Sequence, residues 1–127
     1  MLQSVIDPFL PLASRMIVSI ARLDCSRIHD EESFHDEFNS LFGFPGFYGR
    51  NMDAWIDCMS YLDDPNAGMT SCHVEPGRTL TLELVNVKPF REKHPNLYAD
   101  IVDCSAFVNA RCIETGPTPL IALAFRD

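Results

Sequence analysis

An α/β fold, a small three-stranded parallel sheet packed with helices, is what this 127-residue sequence predicts. Three runs have strand character, and helical periodicity separates each from the next. Strands joined through helices pair in parallel by right-handed crossovers. The length fits one domain, 1–127, which buries about two-thirds of its unfolded surface and needs no disulfide or metal to hold a core.

Taken in order, residues 1–14 carry Pro8 and Pro11 and predict an irregular N-terminal arm. MIVSIARL, Met16 to Leu23, is a mostly apolar run bounded by polar residues and predicts the first strand. Over His29 to Phe42, Phe34, Phe38, Leu41 and Phe42 fall on one helical face, while acids fill the other and crowd the first turns, where the helix dipole favours them. Gly43, Pro45, Gly46 and Gly49 break the pattern into a loop. Asn51 can cap a short helix from Met52 to about Leu62. A polar loop spans Asp63 to Gly77. Thr79 to Val87 alternates Leu80, Leu82 and Leu84 with polar residues, the pattern of a half-buried strand. Lys88 to Pro95 reads as a connection. Leu97 to Cys112 predicts a helix with Ile101, Cys104, Ala106, Phe107 and Val108 as its apolar spacing. PLIALAF, Pro119 to Phe125, is a continuous apolar run and predicts a central strand buried on both faces.

The formal net charge is −8, which disfavours direct nucleic-acid binding because phosphates need Lys and Arg. From Ile28 to Gly77 ten acids stand against the single Arg50, while the rest of the chain is close to neutral. Such asymmetry fits either a solvated acidic surface or a docking face for a basic partner. The five cysteines are odd in number and form no CxxC, so neither a disulfide framework nor a zinc site is expected, and a reducing cytoplasm is. The first residues lack the basic start of a signal peptide, and no run reaches the ~20 apolar residues a membrane helix needs.

Catalysis has little support. The four histidines form no HxH or HExxH, and no G-x-S-x-G, P-loop or GxGxxG occurs, so neither an enzyme, a metal nor a cofactor is expected. Asp57 and Cys58 are adjacent on a helix and point in different directions, so the acid does not activate the thiol. The informative stretch is FPGFYGRNMDAWIDCM, Phe44 to Met59. On a helix, Met52, Trp55 and Met59 form one apolar stripe, which makes Trp55 a core residue. Asp53, Ile56, Asp57 and Ser60 form another face and turn outward. Two aspartates four apart repel by a few tenths of a kcal/mol, and a cationic partner relieves that. Of Phe47 and Tyr48, one belongs in the core and the other outside, with Phe47 the exposed contact.

In Pro45, Phe47-Tyr48-Gly49, Asn51-Met52-Asp53-Ala54, Trp55 and Asp57-Cys58 the chain resembles the barstar family, the intracellular inhibitors of barnase-type ribonucleases, over roughly Met16 to Phe125. The resemblance implies a three-stranded parallel sheet covered by helices and a loop-helix face that plugs a ribonuclease active site. It implies that Asp57 occupies the substrate-phosphate site, that Asp53 pairs with a neighbouring base of the enzyme, that Phe47 stacks on the enzyme, and that Gly49 and Asn51 shape the loop. The departures are Ile56 where the prototype has tryptophan, Phe47 for a tyrosine, Asn109 for a glutamate on the last helix, and a longer Asp63–Gly77 loop that adds Asp63 and Asp64. They point to a nuclease or toxin other than barnase, with this chain as its immunity partner. A non-nuclease basic protein bound by the same face is the alternative.

Overall fold

The computed structural model describes residues 17–113, 116 and 118–127. The expected arm, 1–14, lies outside them, as does Met16 at the head of the first expected strand. Three strands, β1 (Ile20–Asp24), β2 (Leu80–Val85) and β3 (Ile121–Arg126), alternate with four helices, α1 (Glu31–Phe42), α2 (Met52–Met59), α3 (Val87–Lys93) and α4 (Pro95–Ile113). Short 3-10 turns lie at Cys25–Arg27 and Pro65–Ala67.

The sheet is parallel throughout, in the order β1-β2-β3. Leu82 aligns with Ala21 on one side and Leu123 on the other. The middle strand is therefore β2, and the expectation that PLIALAF is central and buried on both faces is corrected. Burial fades along β3, from Ile121, which is buried, to Phe125, which is half exposed. A short apolar run does not distinguish a central strand from an edge strand with small alanines on its open side. Alternation in β2 has the same cause. Leu80, Leu82 and Leu84 are buried on one face with Ala21, Leu23 and Ile121, while Thr81, Glu83 and Val85 stand half-buried on the other. On that side Glu83 accepts from Arg22 at 2.7 Å and Arg126 at 3.2 Å, which ties all three strands together.

Helix α1 starts at a capping box: the Asp30 carboxylate accepts from the Ser33 amide, and the Ser33 hydroxyl accepts in return from the Asp30 amide. It ends at Gly43, whose left-handed φ of 63° closes the helix. Phe34, Phe38 and Phe42 are fully buried, and Phe38 meets Trp55 of α2 edge-on with ring centroids 5.5 Å apart. Trp55 is therefore core, as expected.

The segment read as a connection holds a helix. Pro89 and Pro95 suggest a break, yet each falls in a first helical turn, where the missing N–H has no intrahelical partner anyway. Phe90 anchors α3 in the core. Helix α2 ends at Met59, short of Leu62, and the polar loop after it contains the Pro65–Ala67 turn. On α4 the buried face is Ile101, Ser105 and Val108, whereas Phe107 and Ala106 point to solvent.

Candidate functional site

The loop from Gly43 to Arg50 is built on a run of stacked rings. Phe42 lies parallel to Phe44 at 6.1 Å, and Phe44 packs on Tyr48 at 4.5 Å. Tyr48 is the inward member of the aromatic pair, its hydroxyl on Nδ1 of the buried His35. Phe47, beside it, is 76 % exposed. The Tyr48 amide donates to the Pro45 carbonyl, closing the turn that displays Phe47. The loop is also clipped from outside: Ser71 donates through its amide to Phe42 O and through its hydroxyl to Gly43 O.

Arg50 takes a left-handed φ of 55°. Its guanidinium is held by Asp36 at 2.8 Å and by the Glu32 carbonyl at 3.0 Å. The one base within the acidic segment thus serves to fix the loop to α1. Gly49 leaves room for the Asn51 side chain, since a Cβ there would stand 3.3 Å from its Nδ2. Asn51 caps α2, its Oδ1 accepting from the Ala54 amide at 2.8 Å.

Helix α2 then presents its acids. Asp53 and Asp57 are exposed, Trp55, Cys58 and Met59 are buried, and Ile56 lies half-buried against the core between the two carboxylates. Asp53 makes no ion pair among the described residues. Asp57 has one, with Arg111 of α4 at 3.6 Å, and both side chains remain well exposed (62 % and 44 %). At that distance and exposure the bridge contributes little to stability. Burial, with the Asp57 charge adding to it, pushes the Cys58 thiol up to about 11, so at neutral pH it is a protonated packing group.

The remaining candidates do not all converge. The Ser60 hydroxyl donates back to the Ile56 carbonyl at 2.6 Å, and Ser60 lies with Asp63 on a cavity next to Cys112 and Leu120, whereas Asp57 lines a different one. Asp64 caps the Pro65–Ala67 turn through Asn66 N at 3.2 Å. Asn109 is engaged elsewhere: its Oδ1 accepts from the Leu120 and Ile121 amides and its Nδ2 donates to the Ile121 carbonyl, fixing the start of β3 to α4. Sequence reasoning missed Arg111 beside Asp57 and the His35–Tyr48 contact, because both depend on how separate elements pack and no local spacing signals them.

A loop and a capped helix thus offer an aromatic and two carboxylates on a compact parallel sheet, and a family model described as Barstar (barnase inhibitor) matches residues 18–124. The chain belongs to the barstar family. No individual curated protein gives a significant match. The barstar match takes in every described element from β1 to most of β3, and with them the whole of the loop and α2. Barnase inhibition, the activity in the family's description, is a protein-binding function, and a rigid surface that offers charge suits it. Among the described residues no helix is long and apolar enough to cross a membrane.

Proposed function

We propose that this barstar-family chain is a protein inhibitor of a ribonuclease or nuclease toxin, and that it blocks a basic active site with the loop and helix running from Phe47 to Asp57. It is not an enzyme in this reading; it acts in the cytoplasm as an immunity partner. The observation that carries it is the pair Asp53 and Asp57, both exposed on a capped helix that follows the loop displaying the Phe47 ring, with only a long, exposed ion pair among the described residues to occupy either carboxylate.

A nuclease cleft is basic because it binds phosphates. Carboxylates set into it take the place of the substrate's phosphates, and the surrounding acids speed encounter at low salt. Steering of this kind is already known from barnase and barstar themselves. Phe47 supplies apolar contact area at the rim. Gly49 and Asn51 act through the loop's shape and the helix cap rather than by charge. Ile56 is a smaller contact between the acids, and Asp63 and Asp64 extend the negative field.

The test is capture from a lysate of the native host at low and high salt, followed by an RNA-cleavage assay of the eluate with added wild type, Asp57→Ala or Glu31→Ala. A captured nuclease that wild type and Glu31→Ala inhibit, and that Asp57→Ala inhibits at least a hundredfold less well, is expected. Equal behaviour of Asp57→Ala and Glu31→Ala sinks the inserted-carboxylate reading. A salt-sensitive partner without nuclease activity favours a barstar-like interaction module instead.

A further inference from the structure

The two carboxylates of α2 are not equally free. Asp53 makes no ion pair among the described residues, whereas Oδ1 of Asp57 lies 3.6 Å from a guanidinium nitrogen of Arg111. Arg22, Arg126, Arg27 and Arg50 pair with Glu83, Glu37 and Asp36, so among the described residues Arg111 is the one base that reaches an acid of α2.

Arg111 is placed there by its own helix. It stands in the last turn of α4, where the negative end of the helix dipole favours a cation. On the same helix, Asn109 bonds the Leu120 and Ile121 amides and the Ile121 carbonyl, which fixes this end of α4 to β3. Helices α2 and α4 pack together. The ion pair itself is exposed on both sides and adds little to the fold.

The same contact bears differently on binding. A cation brought to Asp57 by another molecule meets Arg111 already there. If Arg111 leaves, one ion pair is exchanged for another and the net gain shrinks. If it stays, two cations share one carboxylate where water is being excluded, and their repulsion opposes docking. Either way, only molecules with Asp57 unmasked bind at full strength, and the apparent affinity falls by that fraction. Asp53 carries no such handicap among the described residues.

We propose that Arg111 is an autoinhibitory residue, a competitor in cis that masks Asp57 until a partner displaces it. The proposal rests on the reading of α2 as the partner-binding face and adds to it a threshold set by α4. A tight partner overcomes the mask, whereas a weakly basic protein falls below the threshold.

Arg111→Gln removes the charge and keeps a polar side chain at an exposed position, so its thermal melt should match that of wild type. A decalysine peptide, titrated at low salt and followed by amide NMR shifts, tests the mask without any nuclease. Asp57 should respond at a roughly fivefold lower peptide concentration in Arg111→Gln than in wild type, with Asp53 changing far less. Arg126→Gln removes the same charge from β3 and should leave the Asp57 response as in wild type. An unchanged Asp57 response in Arg111→Gln, or an equal gain in Arg126→Gln, overturns the proposal. In a second arm, Arg111→Gln should inhibit the captured nuclease about fivefold better than wild type, and the gain should vanish when Asp57→Ala is added. A gain that survives Asp57→Ala is an effect of net charge and overturns the proposal as well. If inhibition needs Asp57 but Arg111→Gln leaves it unchanged or weakens it, the mask fails and the inhibitor reading stands. If the peptide arm succeeds and no nuclease is inhibited, the mask stands and the inhibitor reading fails.

Discussion

His35 and Tyr48, the residue directly after the exposed Phe47, meet edge-on, with Nδ1 of the histidine 2.5 Å from the tyrosine hydroxyl. Among the described residues the other ring nitrogen, Nε2, is buried without a hydrogen-bond partner. Burial and then the nearby Arg50 charge hold the His35 pKa below the ordinary 6.5, against the opposing pull of Glu31 and Asp36, and burial also pushes the Tyr48 hydroxyl above its usual value. The loop that displays Phe47 therefore stands on a neutral histidine.

Acid should weaken that support. A histidine whose folded pKa lies below its unfolded value contributes stability that is fully present above about pH 6.5 and is lost as pH falls through the folded value. Urea unfolding of the wild type at pH 7.5 and 5.5 should show lower stability at the acid end, and His35→Gln should show a smaller loss between the two. A wild-type slope retained in His35→Gln refutes the assignment. Tyr48→Phe, which leaves Nδ1 of His35 without its partner, should destabilise by about 1–2 kcal/mol at pH 7.5.

Gly43 and Gly46 sit in the same loop and should respond differently. A Cβ at Gly43 would lie 2.3 Å from the Ser71 hydroxyl oxygen, and its φ of 63° is left-handed; at Gly46 nothing lies within 4 Å. Gly43→Ala is expected to lower stability by about 1–2 kcal/mol or more, from strain and from the displaced Ser71 clip. Gly46→Ala should stay within about 0.5 kcal/mol of wild type. Thermal melts of the two variants decide it.

Asn109→Ala should be chiefly a stability mutant. Three hydrogen bonds vanish together, and the Leu120 and Ile121 amides lose their acceptor at buried positions. A loss of about 2–3 kcal/mol is expected in chemical denaturation. A stable variant with impaired partner binding would restore Asn109 to the contact surface.

Asn51→Ala removes the side-chain cap of α2 and should cost about 1 kcal/mol of stability. Because α2 carries both aspartates, partner affinity should fall as well, even though Asn51 bears no charge. Asn51→Asp, which keeps a capping oxygen, should recover most of the stability in the same unfolding assay.

Most of the frame was legible in the residues. The spacing of Phe34, Phe38 and Phe42 located α1, alternating leucines located β2, and Met52, Trp55 and Met59 oriented α2 correctly. The failures share a cause. Pro89 and Pro95 break helices in the interior and begin them at the first turn, and local sequence does not say which applies. PLIALAF reads alike at the edge of a sheet and at its centre. At the site, motif and periodicity placed Phe47, Asp53 and Asp57 outward, but the proximity of Arg111 arises only when α4 packs against α2.

One consequence concerns Glu83 and its two arginines. Arg22 and Arg126 stand on the two edge strands, and edges of an open sheet are templates for other chains. Two copies meeting edge to edge bring guanidinium against guanidinium, while the single Glu83 on the middle strand is already shared at home. Like charge thus opposes edge-to-edge pairing of two copies, while the acidic surface of α1 and α2 favours a basic partner over an acidic one.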